Sequence, residues 1–231
     1  MAGPDLAHRR ILYGRRGGHR LKAARQAALD DLLPRFAVPP LGGGPVDPAR
    51  LFPRPMRAFW LEIGFGNGEH LADQAARHAD VGCIGCEPFI NGVSMLLRYL
   101  GERGLDNVRI HADDARPLIE ALPTGSIERV YLLFPDPWPK TRHHRRRFIA
   151  RATLDELARV THAGAELRIA TDHMECGRWM LHHLLQHPAF DWPAEGPADW
   201  RRRPRDEAPT RYEEKALASG RRCLYLAFRR R

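Results

Sequence analysis

From residue 58 onward, short apolar runs alternate with stretches in which apolar positions recur every three or four residues. The runs at 58–63, 81–86, 108–112, 129–134 and 166–171 predict strands, and the segments 68–77, 92–103 and 115–121 between them predict helices. Ile149, Ala152, Leu157 and Val160 mark one face of a further helix. A last alternating run at 222–228, preceded by Gly220, predicts a sixth strand. Strands separated by helices imply an α/β fold: a mostly parallel sheet with right-handed crossovers and helices on both faces. Ligands of such sheets collect at the carboxyl ends of the strands. The residues that follow each strand therefore carry the functional question.

Upstream of this pattern, residues 6–29 contain no acid but hold Arg9, Arg10, Arg15, Arg16, Arg20, Lys22 and Arg25, with Gly14, Gly17 and Gly18 interrupting any helix. A mobile basic arm is expected there. Nine Pro and Gly residues crowd 39–57, which disfavours a helix interior or a central strand and predicts a linker. The expected division is an arm and linker over 1–56 and one α/β domain over 57–231.

Charge changes the picture. Lys and Arg total 37 against 28 acids, a net charge of +9 with a pI near 10.0. That excess points to a polyanionic partner, with a merely solvated basic surface as the alternative. Mean hydropathy is −0.47 and no run approaches the roughly 18 apolar residues of a membrane span. The first residues lack the apolar core of a secretory signal, so a cytoplasmic protein is expected. Cys83 and Cys86 form a C-x-x-C, but inside a predicted strand and without further ligands; they read as small core residues. His173, His182, His183 and His187 do not match a closed ligand set either, and no metal is expected.

The strand ends supply the candidate chemistry. After the first strand comes E-I-G-F-G-N-G (62–68), whose glycines let a ligand approach the backbone. An adenosine-containing cofactor is the expected guest. A dinucleotide fingerprint needs glycine at 69, where Glu69 stands, whereas Gly64, Gly66 and Gly68 give the spacing of methyltransferases. Glu87 follows the second strand, where an acid can accept both ribose hydroxyls, or simply sit solvated in a loop. Asp113 and Asp114 follow the third, to meet adenine or to cap the next helix. After the fourth, prolines on both sides of Asp136 in F-P-D-P-W (134–138) fix its backbone. No acid separates Asp136 from Asp155, while Lys140, Arg142, Arg145, Arg146, Arg147 and Arg151 do. Packed like charges repel, so that run predicts a phosphate-binding edge. Asp172 follows the fifth strand, as a site residue or a helix cap.

Together with Y-G-R-R-G-G-H-R-L (13–21), G-C-E-P-F (85–89), A-T-D-H (170–173) and P-T-R-Y-E-E-K (209–215), these segments resemble the bacterial tRNA (guanine-N7-)-methyltransferases. The likeness runs through nearly the whole chain, and F-P-D-P-W with its basic run is its most specific part. It implies a Rossmann-like class I methyltransferase fold with a seventh strand, near 190–192, and an antiparallel last strand. Glu62, Gly64, Gly66, Gly68, Glu87, Asp114 and Asp136 would contact S-adenosylmethionine, with Asp136 catalytic. Lys140, Asp172, Thr210, Arg211, Tyr212 and Glu213 would contact tRNA, methylated at guanosine 46 of its variable loop. Arg201, Arg202, Arg203 and Arg205 would join the arm and the 140–151 run in holding phosphates. Tyr212 replaces a commoner Phe and Pro139 a common His; neither change removes a charge. A monomer or homodimer is expected. The rival readings are a non-catalytic RNA-binding protein on the same fold and a NAD-dependent oxidoreductase.

Overall fold

The computed structural model describes residues 13–42 and 44–231. Arg9 and Arg10 of the basic arm and Gly43 of the linker lie outside them. A seven-stranded sheet runs in the order β3-β2-β1-β4-β5-β7-β6. Its strands are β1 (Ala58–Ile63), β2 (Val81–Cys86), β3 (Val108–His111), β4 (Ile127–Leu133), β5 (Thr161–Thr171), β6 (Phe190–Asp191) and β7 (Leu224–Arg230). The pairings among β1 to β5 are parallel, and β7 runs antiparallel to both β5 and the edge strand β6.

Among the described residues eight α-helices accompany the sheet: α1 (Ala23–Phe36), α2 (Glu69–Arg77), α3 (Ile90–Arg103), α4 (Ala115–Ala121), α5 (Arg151–Val160), α6 (Met174–Leu185), α7 (Ala198–Arg201) and α8 (Arg211–Ala218). Alternation along β1 shows how the two faces divide. Leu61 and Ile63 join the core under α4, α5 and α6, while Trp60 joins that under α1, α2 and α3. Strands buried on both faces carry near-continuous apolar runs, and every residue of β2 is buried.

Register aligns the functional edge. Ile63 is level with Cys86, Cys86 with His111, Leu133 with Ala170, and Thr171 with Leu224. The loops that follow the first five strands, and the residues that precede β7, therefore emerge side by side.

Two expectations shift and a third is met. Residues 23–36 form α1 instead of continuing a basic arm, because Leu29 and Phe36 bury against the core beside α3, and Val38 N–H then donates to Ile110 O at the β3 edge. β5 begins five residues before its apolar run, since residues 162–164 are exposed and gave no hydrophobic signal. The seventh strand implied near 190–192 is β6, whose two residues, Phe190 buried and Asp191 exposed, are too few for a periodicity to register. No helix among the described residues is long and apolar enough to cross a membrane.

Candidate active site at the carboxyl edge of the sheet

The turn between β1 and α2 holds Gly64, Gly66 and Gly68 at φ of 72°, 59° and 81°, a left-handed conformation that a Cβ penalises. Space in front of Gly64 is open: a Cβ there would meet nothing within 4 Å. Behind the loop, Gly92 of α3 lies so close that its Cβ would fall 2.0 Å from Gly66 O. Gly92 carries no signal in the sequence, because its reason is a contact between segments far apart in the chain.

Glu87, 8% exposed, ties this loop to the end of β2: Oε2 accepts from Gly66 N–H at 2.7 Å and Oε1 from Phe89 N–H at 2.9 Å. Burial pushes its carboxyl up, the two amide bonds oppose this, and the charges of Asp136 and Glu62 add to it. Glu62 is buried and meets His70 Nδ1 at 2.8 Å. Burial pulls His70 down, but the Glu62 carboxylate, with Glu207 and Asp73, outweighs it and holds the imidazole above its ordinary value. His70, unnoticed in the sequence, thus backs the first carboxylate of the site.

At the end of β3 the two aspartates divide their roles. Asp114 caps α4, its Oδ1 accepting from Arg116 N–H at 3.0 Å, and its Oδ2 pairs with the Arg116 guanidinium at 2.8 Å. Asp113 pairs with Arg16 at 2.9 Å. Arg16 belongs to a segment laid across the start of α3, where Ile90 N–H donates to Arg16 O and Gly18 N–H to Asn91 Oδ1, each at 3.0 Å.

Among the described residues, Phe134 (φ 51°) and Trp138 (φ 43°) are the non-glycine residues at positive φ, and they bracket Asp136. Such backbone persists only where its surroundings over-determine it. Arg147 is the holder: its side chain is 2% exposed, it donates to Pro137 O at 2.9 Å and Trp138 O at 3.3 Å, and it pairs with Glu175. This corrects the expected six-cation edge. A 3-10 helix over Thr141–Arg146 turns Arg147 inward, Arg146 stacks 4.6 Å from Tyr13 and 4.8 Å from Trp138, and Arg151 pairs with Asp155 at 3.0 Å. Lys140, Arg142 and Arg145 remain exposed, as does Asp136.

The remaining predicted residues converge from β5 and α8. Asp172 pairs with Arg221, and His173, not Asp172, caps α6 by accepting from Cys176 N–H at 3.3 Å. Thr210 caps α8 by accepting from Glu213 N–H at 3.2 Å. Glu213 is buried, and its Oε1 takes both Arg203, at 3.1 Å, and Tyr225 O–H, at 2.5 Å. Arg203 is therefore committed to an internal partner and not free for the phosphate role expected of it. Arg211 is exposed and lies 5.4 Å from the Tyr212 ring. That ring sits over the glycine loop, 3.3 Å from where a Gly66 Cβ would be. One cleft is accordingly lined by Glu62, Gly64, Leu133, Phe134, Thr210 and Tyr212. Beneath α8, Arg168 of β5 pairs with Asp206 at 2.8 Å and Glu207 at 3.0 Å, fastening the preceding loop to the sheet.

The edge thus gathers carboxylates of two kinds, buried beside a glycine turn and exposed beside cations. A family model described as "Putative methyltransferase" matches residues 56–226. A tRNA (guanine-N(7)-)-methyltransferase of Rhodospirillum rubrum is 53% identical, the match covering 95% of this chain and 87% of that one. One from Paramagnetospirillum magneticum is 47% identical, with 99% and 96% covered. Among solved structures, an rRNA methylase from Streptococcus thermophilus superposes with a TM-score of 0.51 at 11% identity, over 75% of this chain and 86% of that one. The 16S rRNA methyltransferase KamB does so with 0.52 at 13% identity, over 76% and 89%. The fold and the sequence agree: this chain belongs to the tRNA (guanine-N(7)-)-methyltransferase family, on the class I S-adenosylmethionine-dependent methyltransferase fold.

Proposed function

We propose that this protein transfers a methyl group from S-adenosylmethionine to N7 of guanosine 46 in tRNA, in the bacterial cytoplasm. The observation that carries the reading is Asp136, exposed between two strained residues at the same sheet edge as the buried Glu87, whose carboxyl is raised by burial with the Asp136 charge adding to it. The residues present fit the methyl donor. Gly64 leaves a cradle that a side chain would fill, and Glu62 and Glu87 are each fixed by a hydrogen bond, to His70 and to the Gly66 amide of the same loop.

When bound, S-adenosylmethionine supplies an electrophilic methyl group on a positively charged sulfur. Guanine N7 carries a lone pair and no proton, so its attack needs no general base. The protein's work is alignment and charge stabilisation. Positive charge moves onto the guanine ring as the methyl transfers, and the fixed carboxylate of Asp136 stabilises it, by about 2.7–4 kcal/mol on the scale of single preorganised groups. Asp172 and Glu213 accept hydrogen bonds from guanine N1–H and its amino group in this reading. Adenine offers no such donor pair. Lys140, Arg142 and Arg145 bind phosphates and give affinity instead of base readout.

The test uses purified protein, unmodified tRNA and labelled methyl donor, followed by chemical cleavage at N7-methylguanosine. Label at the variable loop is expected. Its absence sinks the function, and full activity in Asp136→Ala sinks the role given to that carboxylate.

A further inference from the structure

A second cleft lies on the other flank of α8, between α6, α7 and the start of β7, with a volume of about 890 Å³. That is the size of a ligand site. None of Glu62, Glu87, Asp136, Asp172, Thr210 and Glu213 lines it. Its wall carries Trp192 and Trp200, ring centroids 5.2 Å apart, with Leu181 and with Leu217, which is 54% exposed. Arg178, Arg201, Arg221 and Arg222 complete it. Arg221 pairs with Asp172; among the described residues Arg178, Arg201 and Arg222 pair with no acid.

Unpaired cations around an apolar wall add repulsion to a chain already at +9, so stability does not account for them. Planar rings beside free guanidinium groups suit a nucleotide, its base against an aromatic face and its phosphate on the forks. A second copy of this chain would bring the same positive charge to the same rim. Position points the same way. The cleft opens at the edge where Thr171 is level with Leu224, and the Arg221–Asp172 pair joins it to the guanine side. Along α8, Tyr212 serves the first cleft and Leu217 the second, about 7.5 Å further on by helical rise.

We propose that this cleft holds an RNA nucleotide flanking the methylated guanosine, its base stacked on Trp200 and its phosphate held by Arg178, Arg201 and Arg222. The proposal rests on the reading of tRNA as substrate.

KM for unmodified tRNA and for the methyl donor, with Tm, is measured for the full chain, Trp200→Ala, Trp200→Tyr and the double variant Arg178→Glu/Arg201→Glu. Trp200→Ala should raise KM for tRNA roughly tenfold, the scale of one lost base stack, leave the donor KM unchanged, and be largely rescued by Trp200→Tyr. The arginine variant should raise it further and flatten its salt dependence by a slope of roughly 0.7–0.9, the value of one phosphate contact. Unchanged KM for tRNA in the alanine and arginine variants of an active enzyme overturns the proposal. So does loss of self-association with tRNA affinity intact, which would make the cleft a contact between copies. If Trp200→Ala does not fold, the surface arginine variant decides alone. If the wild type methylates no tRNA, the functional reading fails, and tRNA binding by filter retention still decides the cleft.

Discussion

The loops after β1 and β4 leave neighbouring strands at one edge, yet they are held in opposite ways. The first takes its left-handed turns at glycines, where they cost little, and its carboxylates are buried: Glu87 bonded to two amides, Glu62 to His70. The second takes them at Phe134 and Trp138, which strains it, and exposes Asp136. The difference matches the proposed tasks. A loop that cradles a cofactor needs close backbone approach, which glycine permits. A loop that meets a large RNA needs an accessible carboxylate that does not wander, and the strain is met by Arg147, which grips Pro137 O and Trp138 O from within.

The comparison breaks first at Asp136. Asp136→Ala should lower kcat by roughly 100- to 1,000-fold in the labelled-methyl assay while leaving Tm nearly unchanged, since the side chain is exposed and packs nothing. A large fall in Tm would mean that the carboxylate also supports its loop.

Gly92→Ala probes the glycine loop instead. Its Cβ would meet backbone at Gly66 O, so the loop must shift, at about 1–3 kcal/mol of stability. Donor affinity, read by calorimetry, should fall about tenfold, and unchanged affinity would sink the proposed tight seating of α3 against the loop.

Arg147→Met removes the grip on the strained loop and leaves two carbonyl oxygens unpaired, at about 1–3 kcal/mol in urea unfolding. Glu175 is 48% exposed, so the lost ion pair itself adds little. The variant should lose kcat with donor affinity intact; the reverse pattern would place the grip on the wrong loop.

A pH series sharpens the contrast from the buried side. His70 sits above its ordinary value of 6.5, so above that pH the native state binds more protons than the unfolded chain, and stability falls as pH rises through the raised value. Glu87 and Glu207, raised by burial, contribute falls of the same sign beginning above 4.5. His70→Gln should flatten the fall above 6.5 alone; an unaltered slope would remove His70 from the account.

The smallest effect belongs to the exposed cations. Arg142→Ala should weaken tRNA binding without changing base preference and reduce the slope of log affinity against log salt by roughly 0.7–0.9. A change in base preference would contradict a phosphate role.

Much of this was written locally in the chain. Continuous apolar runs placed β1 and β2 at their observed bounds, because strands buried on both faces have no polar register to obscure them. The glycine turn and F-P-D-P-W were legible because backbone freedom and its restriction belong to residue types. What pairs with what was not. Arg147 reads as one cation among six until a 3-10 turn buries it, and Arg203 as a phosphate ligand until Glu213 claims it. Gly92, His70 and Tyr225 carry no local signal, because each has its meaning from a partner elsewhere in the chain. Periodicity and residue type alone carry the alternation from β1 to β5 and the carboxylates that end those strands, since both are local properties of the chain. Which charges are buried and committed, and which stay free for a ligand, follows from the fold, since burial and pairing depend on distant segments brought together by the sheet.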